Sequence, residues 1–268
     1  DVILICVPTP VDEHKQPDLS YIKETSMQIA KHATSGTLVI LESTTYPSTT
    51  EDIVVKMVSA RGFTIGEDLF VAYSPERIDP SNKHFNVETT PRIVGGHTDN
   101  CADLAAQFIG ELTTKVSSTK VAEMTKVYEN TFRYINIALA NELALISHEM
   151  GIDPWEVIDA ASTKPYGFMP FYPTTGVGGH CIPVDPYYLS WYAKKYNHRT
   201  EMIDVAGEIN DRMNDFTVNK VTGILNDRGL PVSSSRIAII GAAYKKNTSD
   251  VRESPVFRLY GDLRELGA

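Results

Sequence analysis

An α/β architecture built on a parallel, doubly wound sheet follows from three features of the sequence. Short apolar runs of strand length alternate with segments of helical period. Each run ends in a polar turn. One apolar stripe at helical spacing continues from residue 121 to residue 150, longer than a small domain needs.

The first run, residues 2–7, reads as a buried strand that ends at Pro8-Thr9-Pro10. Residues 19–35 read as an amphipathic helix with Leu19, Ile22, Met27 and Ile29 on or near one face and Gly36 closing it. A second buried strand, TLVILES at 37–43, ends in Ser43-Thr44-Thr45. Residues 49–60 suit a helix, FVAYSPE at 70–76 a third strand, and RIVGG at 92–96 a fourth. In such sheets ligands bind beyond the carboxyl ends of the strands, here Val7, Pro8, Thr9 and Pro10, then Ser43 and Thr44, then Ser74-Pro75-Glu76. The glycine-rich strand–turn that ordinarily opens a nucleotide-binding sheet is not in the sequence.

Residues 119–150 carry the strongest helical pattern. Val121, Met124, Tyr128, Phe132, Ile135, Leu139, Leu143, Ile146 and Met150 step by three and four, and Gly151 caps the end. A helix this long is expected to link domains or to pack against a second subunit. Its other face carries Glu123, Lys126, Asn130, Tyr134 and Asn141, too few charges for an ordinary solvated face. Lys126 and Asn130 are four apart and can reach one point. Residues 190–229 read as two helical segments divided at Asn210. RIAIIG at 236–241 reads as a further buried strand, followed by a turn with Lys245, Lys246 and Arg252, a pattern suited to a phosphate.

Composition narrows the class. The chain has 268 residues, 42% hydrophobic and 22% charged, with net charge −9. That is an ordinary globular mixture, and the negative charge argues against non-specific nucleic-acid or anionic-membrane binding. No run reaches membrane-span length, and no secretory leader is visible. Three cysteines, Cys6, Cys101 and Cys181, suit free thiols in a reducing cytoplasm. No metal is expected. The chain opens without Met directly on a strand and closes in a helical stretch, so it is expected to be part of a longer protein.

The chemistry centres on residues 166–189, YGFMPFYPTTGVGGHCIPVDPYYL. Cys181 follows a loop with Gly176, Gly178 and Gly179, and Asp185 stands four residues later. Glycine permits close backbone approach to a ligand. A structural buried thiol is the plain alternative. A thiol hydrolase is another, but it needs a base; neighbouring His180 is expected to be structural, and no GxSxG signature is present. A cysteine can also capture an aldehyde as a thiohemiacetal that a nicotinamide oxidises to a thioester, with a lysine and an asparagine steadying the oxyanions and Asp185 as base or water-orienting group. Cys6 and Cys101 read as structural.

GVGGHCIPVDPYYL, AEMTKVYENTFRYINIALANELA, LESTTYPSTTED, YSPERIDP and GAAYKKNTSDVRESP together resemble blocks of the UDP-glucose/GDP-mannose dehydrogenase family, in family order and over nearly the whole chain. KPYGFMPFYP ahead of GVGGHC is most similar to the branch acting on UDP-N-acetylhexosamines. The resemblance implies two Rossmann-like domains joined by a long central helix. Residues 1–117 would be the remainder of the NAD-binding domain, 118–229 the central helical dimerisation domain, and 230–268 the start of the UDP-sugar-binding domain.

The resemblance further implies NAD-dependent four-electron oxidation of a sugar C6 hydroxyl to a uronate, in a cytoplasmic homodimer or higher homo-oligomer. Cys181 matches the catalytic thiol, Lys126 and Asn130 the oxyanion pair, Asp185 the aspartate beyond the cysteine, Glu76 a glutamate of thioester hydrolysis, and Thr44 a threonine beside the water and nicotinamide. Val7, Pro8, Thr9, Pro10, Ser43, Thr44 and Arg252 match cofactor contacts. Tyr244 and Lys245 match the substrate's uracil and phosphate contacts, and Phe171, Tyr172, Gly176, Gly178 and Gly179 line the sugar-nucleotide site with Glu76, Lys126 and Asn130. Two positions depart. Some members carry a second glutamate where Pro80 stands here, and some carry a partner-subunit arginine where the sequence reads Thr163-Lys164-Pro165. Both bear on sugar recognition. UDP-glucose or a deoxythymidine sugar remains an alternative substrate, and an inactive nucleotide-sugar-binding fragment an alternative role.

Overall fold

The computed structural model describes residues 1–268 apart from Glu13, Pro80, Ser81 and Lys83. The chain divides into two units. Asp1–Asn130 and Val184–Arg199 form the first, and Thr131–Pro183 and Thr200–Ala268 the second.

The first unit holds a five-stranded sheet. Its strands are β1 (Val2–Ile5), β2 (Thr37–Leu41), β3 (Leu69–Tyr73), β4 (Arg92–Gly96) and β5 (Thr113–Val116), in that spatial order. The sheet is parallel as expected, with one antiparallel pairing. β1, β2 and β3 are parallel, as are β4 and β5, but β4 runs antiparallel to β3. The long polar connection between β3 and β4 contains no helix among the described residues, so nothing enforces a parallel crossover. Strand β2 is buried on both faces, which its unbroken TLVIL requires. Val39 and Leu41 join the core under α1 (Ser20–His32), while Leu38 and Ile40 pack with Ala72, Val94 and Ala105 on the side of α3 (Asp99–Ile109). Strand β1 is an edge, and Val2 and Leu4 are exposed, contrary to the fully buried strand its composition suggests.

In α1 the buried face is Ile22, Ser26, Ile29 and Ala30; Met27 points out. Ser26 is accommodated because its hydroxyl donates to the Ile22 carbonyl at 2.7 Å. The expected helix over 49–60 is present as a π-helical turn, Thr50–Val55, running into α2 (Lys56–Ser59). Helix α6 (Asp185–Ala193) completes this unit and places Tyr188 and Tyr192 in its core.

Helix α4 (Thr119–Met150) has the predicted bounds. Its faces are inverted relative to a simple amphipathic helix. Tyr128, Leu139, Ile146 and Met150 of the apolar stripe are exposed, whereas Glu123, Asn130, Tyr134 and Asn141 of the polar face are buried.

The second unit is helical among the described residues: the continuation of α4, then α5 (Pro154–Ser162), α7 (Glu201–Asp227) and α8 (Val256–Glu265). Asp153 caps α5, accepting from the Trp155 N–H at 2.9 Å, with Pro154 at the first helical position. The expected division at Asn210 is corrected. Helix α7 runs through it, and the Asn141 side-chain amide donates to the buried Asn210 Oδ1 at 2.9 Å. The break falls instead at residues 194–200, around Asn197 in a left-handed conformation. Residues 236–241 are not a strand. No described strand neighbours them, a lone strand cannot satisfy its backbone, and Ile240 is 98% exposed.

Candidate active site

The strand ends of the first unit meet in one ledge. Ser43 holds it together. Its hydroxyl accepts from the Val7 N–H at 2.9 Å and lies 2.8 Å from the Val7 carbonyl. Thr9 Oγ1 donates to the Thr44 carbonyl at 2.8 Å, and the buried Tyr188 hydroxyl donates to the Thr9 carbonyl at 2.5 Å. Loop 7–10 is therefore fixed from both sides. Val7, Thr9 and Thr44 are half-buried, and Pro8 and Pro10 are exposed. Of the predicted cofactor contacts here, Ser43 is buried and serves the backbone; the others form a largely apolar ledge with two threonines, Thr9 tied to the Thr44 carbonyl, a chemistry that fits the nicotinamide end of NAD.

Glu76 lies just beyond β3 and is exposed. Its Oε1 accepts from the N–H groups of Arg77 and Ile78, both at 2.6 Å. Arg77 in turn forks onto Glu129 of α4, with its closer nitrogen at 2.6 Å. The Pro80 departure lies outside the described residues. Cys6 is exposed at the end of β1, not inside a strand, and its thiol donates to Glu42 at 3.4 Å. Burial and then the Glu42 carboxylate push that thiol up, away from a reactive thiolate. Cys101 is buried in the first turn of α3, where its sulfur accepts from the Val71 N–H at 3.3 Å, as a structural residue does.

Asp185, the first residue of α6, is electrostatically perturbed. It is 2% exposed, and the Asn130 side-chain amide donates to its Oδ2 at 2.5 Å. Burial pushes its carboxyl up to about 7, against the pull of the Asn130 bond and the Lys126 charge. The structure thus joins three predicted site residues, Lys126, Asn130 and Asp185. A carboxyl raised toward neutrality can take a proton, and a neighbouring lysine and amide can hold an oxyanion.

The second unit carries the others. Cys181 is exposed. The glycines ahead of it are required by neighbours within this unit. A Cβ on Gly178 would lie 2.6 Å from the Glu253 carbonyl oxygen, and one on Gly179, at φ +88°, would lie 2.9 Å from the Tyr244 ring. A Cβ on Gly176 would lie 3.0 Å from Pro255. The loop is a mould around Tyr244 and Pro255, so the space its glycines leave is already filled. Asn141 anchors its start by accepting from the Thr174 N–H at 2.8 Å. Phe171 meets Phe132 edge-on, and the Tyr172 hydroxyl donates to Asp159 at 2.7 Å. Lys245 lies over the Tyr244 ring, Lys164 over the Tyr166 ring, and Arg252 forks onto Asp250. That fork, with a smaller contribution from His180, holds the Asp250 carboxyl well below the usual range.

The sequence reading missed Glu123 and Tyr188 as site-forming residues. The signal for Glu123 was present: it lies three residues before Lys126 on a face with too few charges to be solvated.

Three parallel strands whose carboxyl ends meet in one ledge define an α/β nucleotide-binding domain. Residues 1–113 match the UDP-glucose/GDP-mannose dehydrogenase family, NAD binding domain, and residues 120–212 match the central domain of the same family. The chain belongs to that family. It is 42% identical to a UDP-N-acetyl-D-glucosamine 6-dehydrogenase of Pseudomonas aeruginosa, over 99% of this chain and 64% of that one. It is 41% identical to protein CapL of Staphylococcus aureus, over 100% of this chain and 64% of that one. A solved UDP-D-ManNAc dehydrogenase of Pyrococcus horikoshii superposes with a TM-score of 0.91 at 36% identity, covering 98% of this chain and 63% of that one. The chain thus spans less than two-thirds of the length of these relatives.

Proposed function

We propose that this protein oxidises the C6 hydroxyl of a UDP-N-acetylhexosamine to the carboxylate, using two equivalents of NAD⁺. The observation that carries the reading is the buried Asn130–Asp185 pair beside Lys126, four residues beyond the exposed thiol of Cys181. The names of the relatives support an N-acetylhexosamine as substrate.

NAD⁺, when bound at the ledge formed by Val7, Pro8 and Thr44, supplies the two hydride acceptors. The remaining chemistry belongs to side chains. Asp185 accepts the proton released as the C6 alcohol becomes an aldehyde. The Cys181 sulfur adds to that aldehyde, and the resulting oxyanion is held by the Lys126 ammonium and the Asn130 amide. Loss of the second hydride leaves a thioester on Cys181. Water adds to the thioester carbonyl, and the sulfur departs, regenerating the thiol and releasing the uronate. Glu76 and Thr44 orient that water. Tyr244, Lys245 and the glycine loop hold the sugar nucleotide, and Arg252 contacts the cofactor.

No helix among the described residues is long and apolar enough to cross a membrane. The exposed apolar stripe of α4, with Tyr128, Leu139, Ile146 and Met150, supports a homodimer joined along that helix. Incubating the purified protein with NAD⁺ and a panel of UDP-N-acetylglucosamine, UDP-N-acetylmannosamine and UDP-glucose, and following NADH absorbance, tests the reading. The acetylated sugars are expected to give the highest kcat/KM. Absence of NADH with retained sugar-nucleotide binding supports a binding fragment instead.

A further inference from the structure

Ser48 has a left-handed backbone, φ +82°, although it is not glycine. Such a conformation persists only where the surroundings over-determine it. The Ser48 N–H donates to Glu123 Oε2 at 2.6 Å, and the Tyr192 hydroxyl donates to Ser48 Oγ at 2.8 Å. Two residues on, Thr50 donates to Glu123 Oε1 through both its N–H, at 2.8 Å, and its hydroxyl, at 2.7 Å. Thr50 also opens the π-helical turn, a rare form found often at functional positions.

Glu123 itself is 0% exposed. A carboxylate has been withdrawn from water to hold one backbone turn. That turn begins at Thr44, and it is stiffened between by hydroxyl contact of Thr45 with Thr49 at 2.6 Å. Glu123, Lys126 and Asn130 are spaced by three and four, so they share one face of α4.

We infer that Glu123 is a positioning residue: it locks the 44–50 turn to the face of α4 that carries Lys126 and Asn130, and so sets Thr44 against the oxyanion pair. The catalytic consequence rests on the dehydrogenase reading; the mechanical one does not.

The test is Glu123→Gln in the full chain. An amide keeps the volume but turns an NH₂ toward one of the two donor groups. Turnover is expected to fall about 100-fold, the scale of a misplacement near 1 Å, with KM for the sugar nucleotide within about twofold. Amide hydrogen exchange across 44–50 is expected to quicken at least about tenfold. A carboxylate that only stabilises the fold would lower the melting midpoint and leave kcat of the folded enzyme untouched. Wild-type kcat or wild-type exchange in Glu123→Gln overturns the inference. If Glu123→Gln does not fold, Thr50→Val, which removes one of the three bonds, decides by the same readouts, with about a fivefold loss expected and wild-type values overturning it. A wild-type protein that makes no NADH refutes the dehydrogenase reading, and the exchange measurement then decides the inference alone.

Discussion

The two units hold their reactive groups in opposite ways. In the first, Asp185, Asn130 and Glu123 are buried, and directional hydrogen bonds to named partners fix each of them. In the second, Cys181 is exposed, on a loop shaped by glycines fitted against Tyr244 and Pro255. Burial tunes charge in the first unit. Exposure keeps the thiol accessible in the second. The proposed proton acceptor, Asp185, suits a fixed, water-poor setting, whereas the proposed nucleophile, Cys181, must meet an incoming carbon.

Replacing the thiol is the sharpest way to break this contrast. Cys181→Ser is expected to abolish uronate formation, with loss greater than about 10⁴-fold, while leaving sugar-nucleotide affinity within about twofold, because binding rests on the loop and the basic residues. Uronate at the wild-type rate, measured by product chromatography, would remove the thiol from the chemistry. Lys126→Ala is expected next, with kcat lower by on the order of 10²–10³, the loss typical of one oxyanion donor.

Gly178→Ala sharpens the contrast from the second unit. The new methyl meets the Glu253 carbonyl at 2.6 Å, so the loop must shift. About 1–3 kcal/mol of strain is expected, read as roughly a tenfold rise in KM for the sugar nucleotide with KM for NAD⁺ unchanged.

Asp185→Asn separates stability from function in the first unit. The folded carboxyl is raised to about 7, above its unfolded value of roughly 3.9. A raised carboxyl favours the folded state while protonated. Its contribution is full below pH about 4 and is lost as pH rises through about 7. The asparagine variant, which still accepts from Asn130, is therefore expected to melt roughly 4–8 °C higher than wild type at pH 8, for about 2 kcal/mol of relieved desolvation, and no higher at pH 4. Its turnover is expected to lack the rise through pH about 7 that is expected of the wild type. Equal melting midpoints at pH 8 would mean the buried carboxylate is fully compensated.

Much of this was legible in the sequence where a local pattern carries the physics. The buried strand TLVIL, the span of α4 and the Lys126–Asn130 spacing all follow from periodicity. The direction of β4 was not legible, because strand composition says nothing about pairing sense. Nor was the buried face of α4. Apolar spacing marks a face that needs a partner, and the residues of this chain instead cover the face with Glu123 and Asn141, whose hydrogen-bond partners at Ser48, Thr50, Thr174 and Asn210 lie 33 to 75 positions away. RIAIIG misled for the same reason: a strand-like run becomes a strand only beside another.

In the proposed reaction one thiol carries the sugar through two oxidations. Its most direct test is the stoichiometry of the complete reaction, with NADH counted by absorbance and uronate by chromatography. Two NADH per uronate, and no aldehyde released from the wild type, is the predicted result. One NADH per sugar with free aldehyde as product, or uronate formed without NADH, would contradict it.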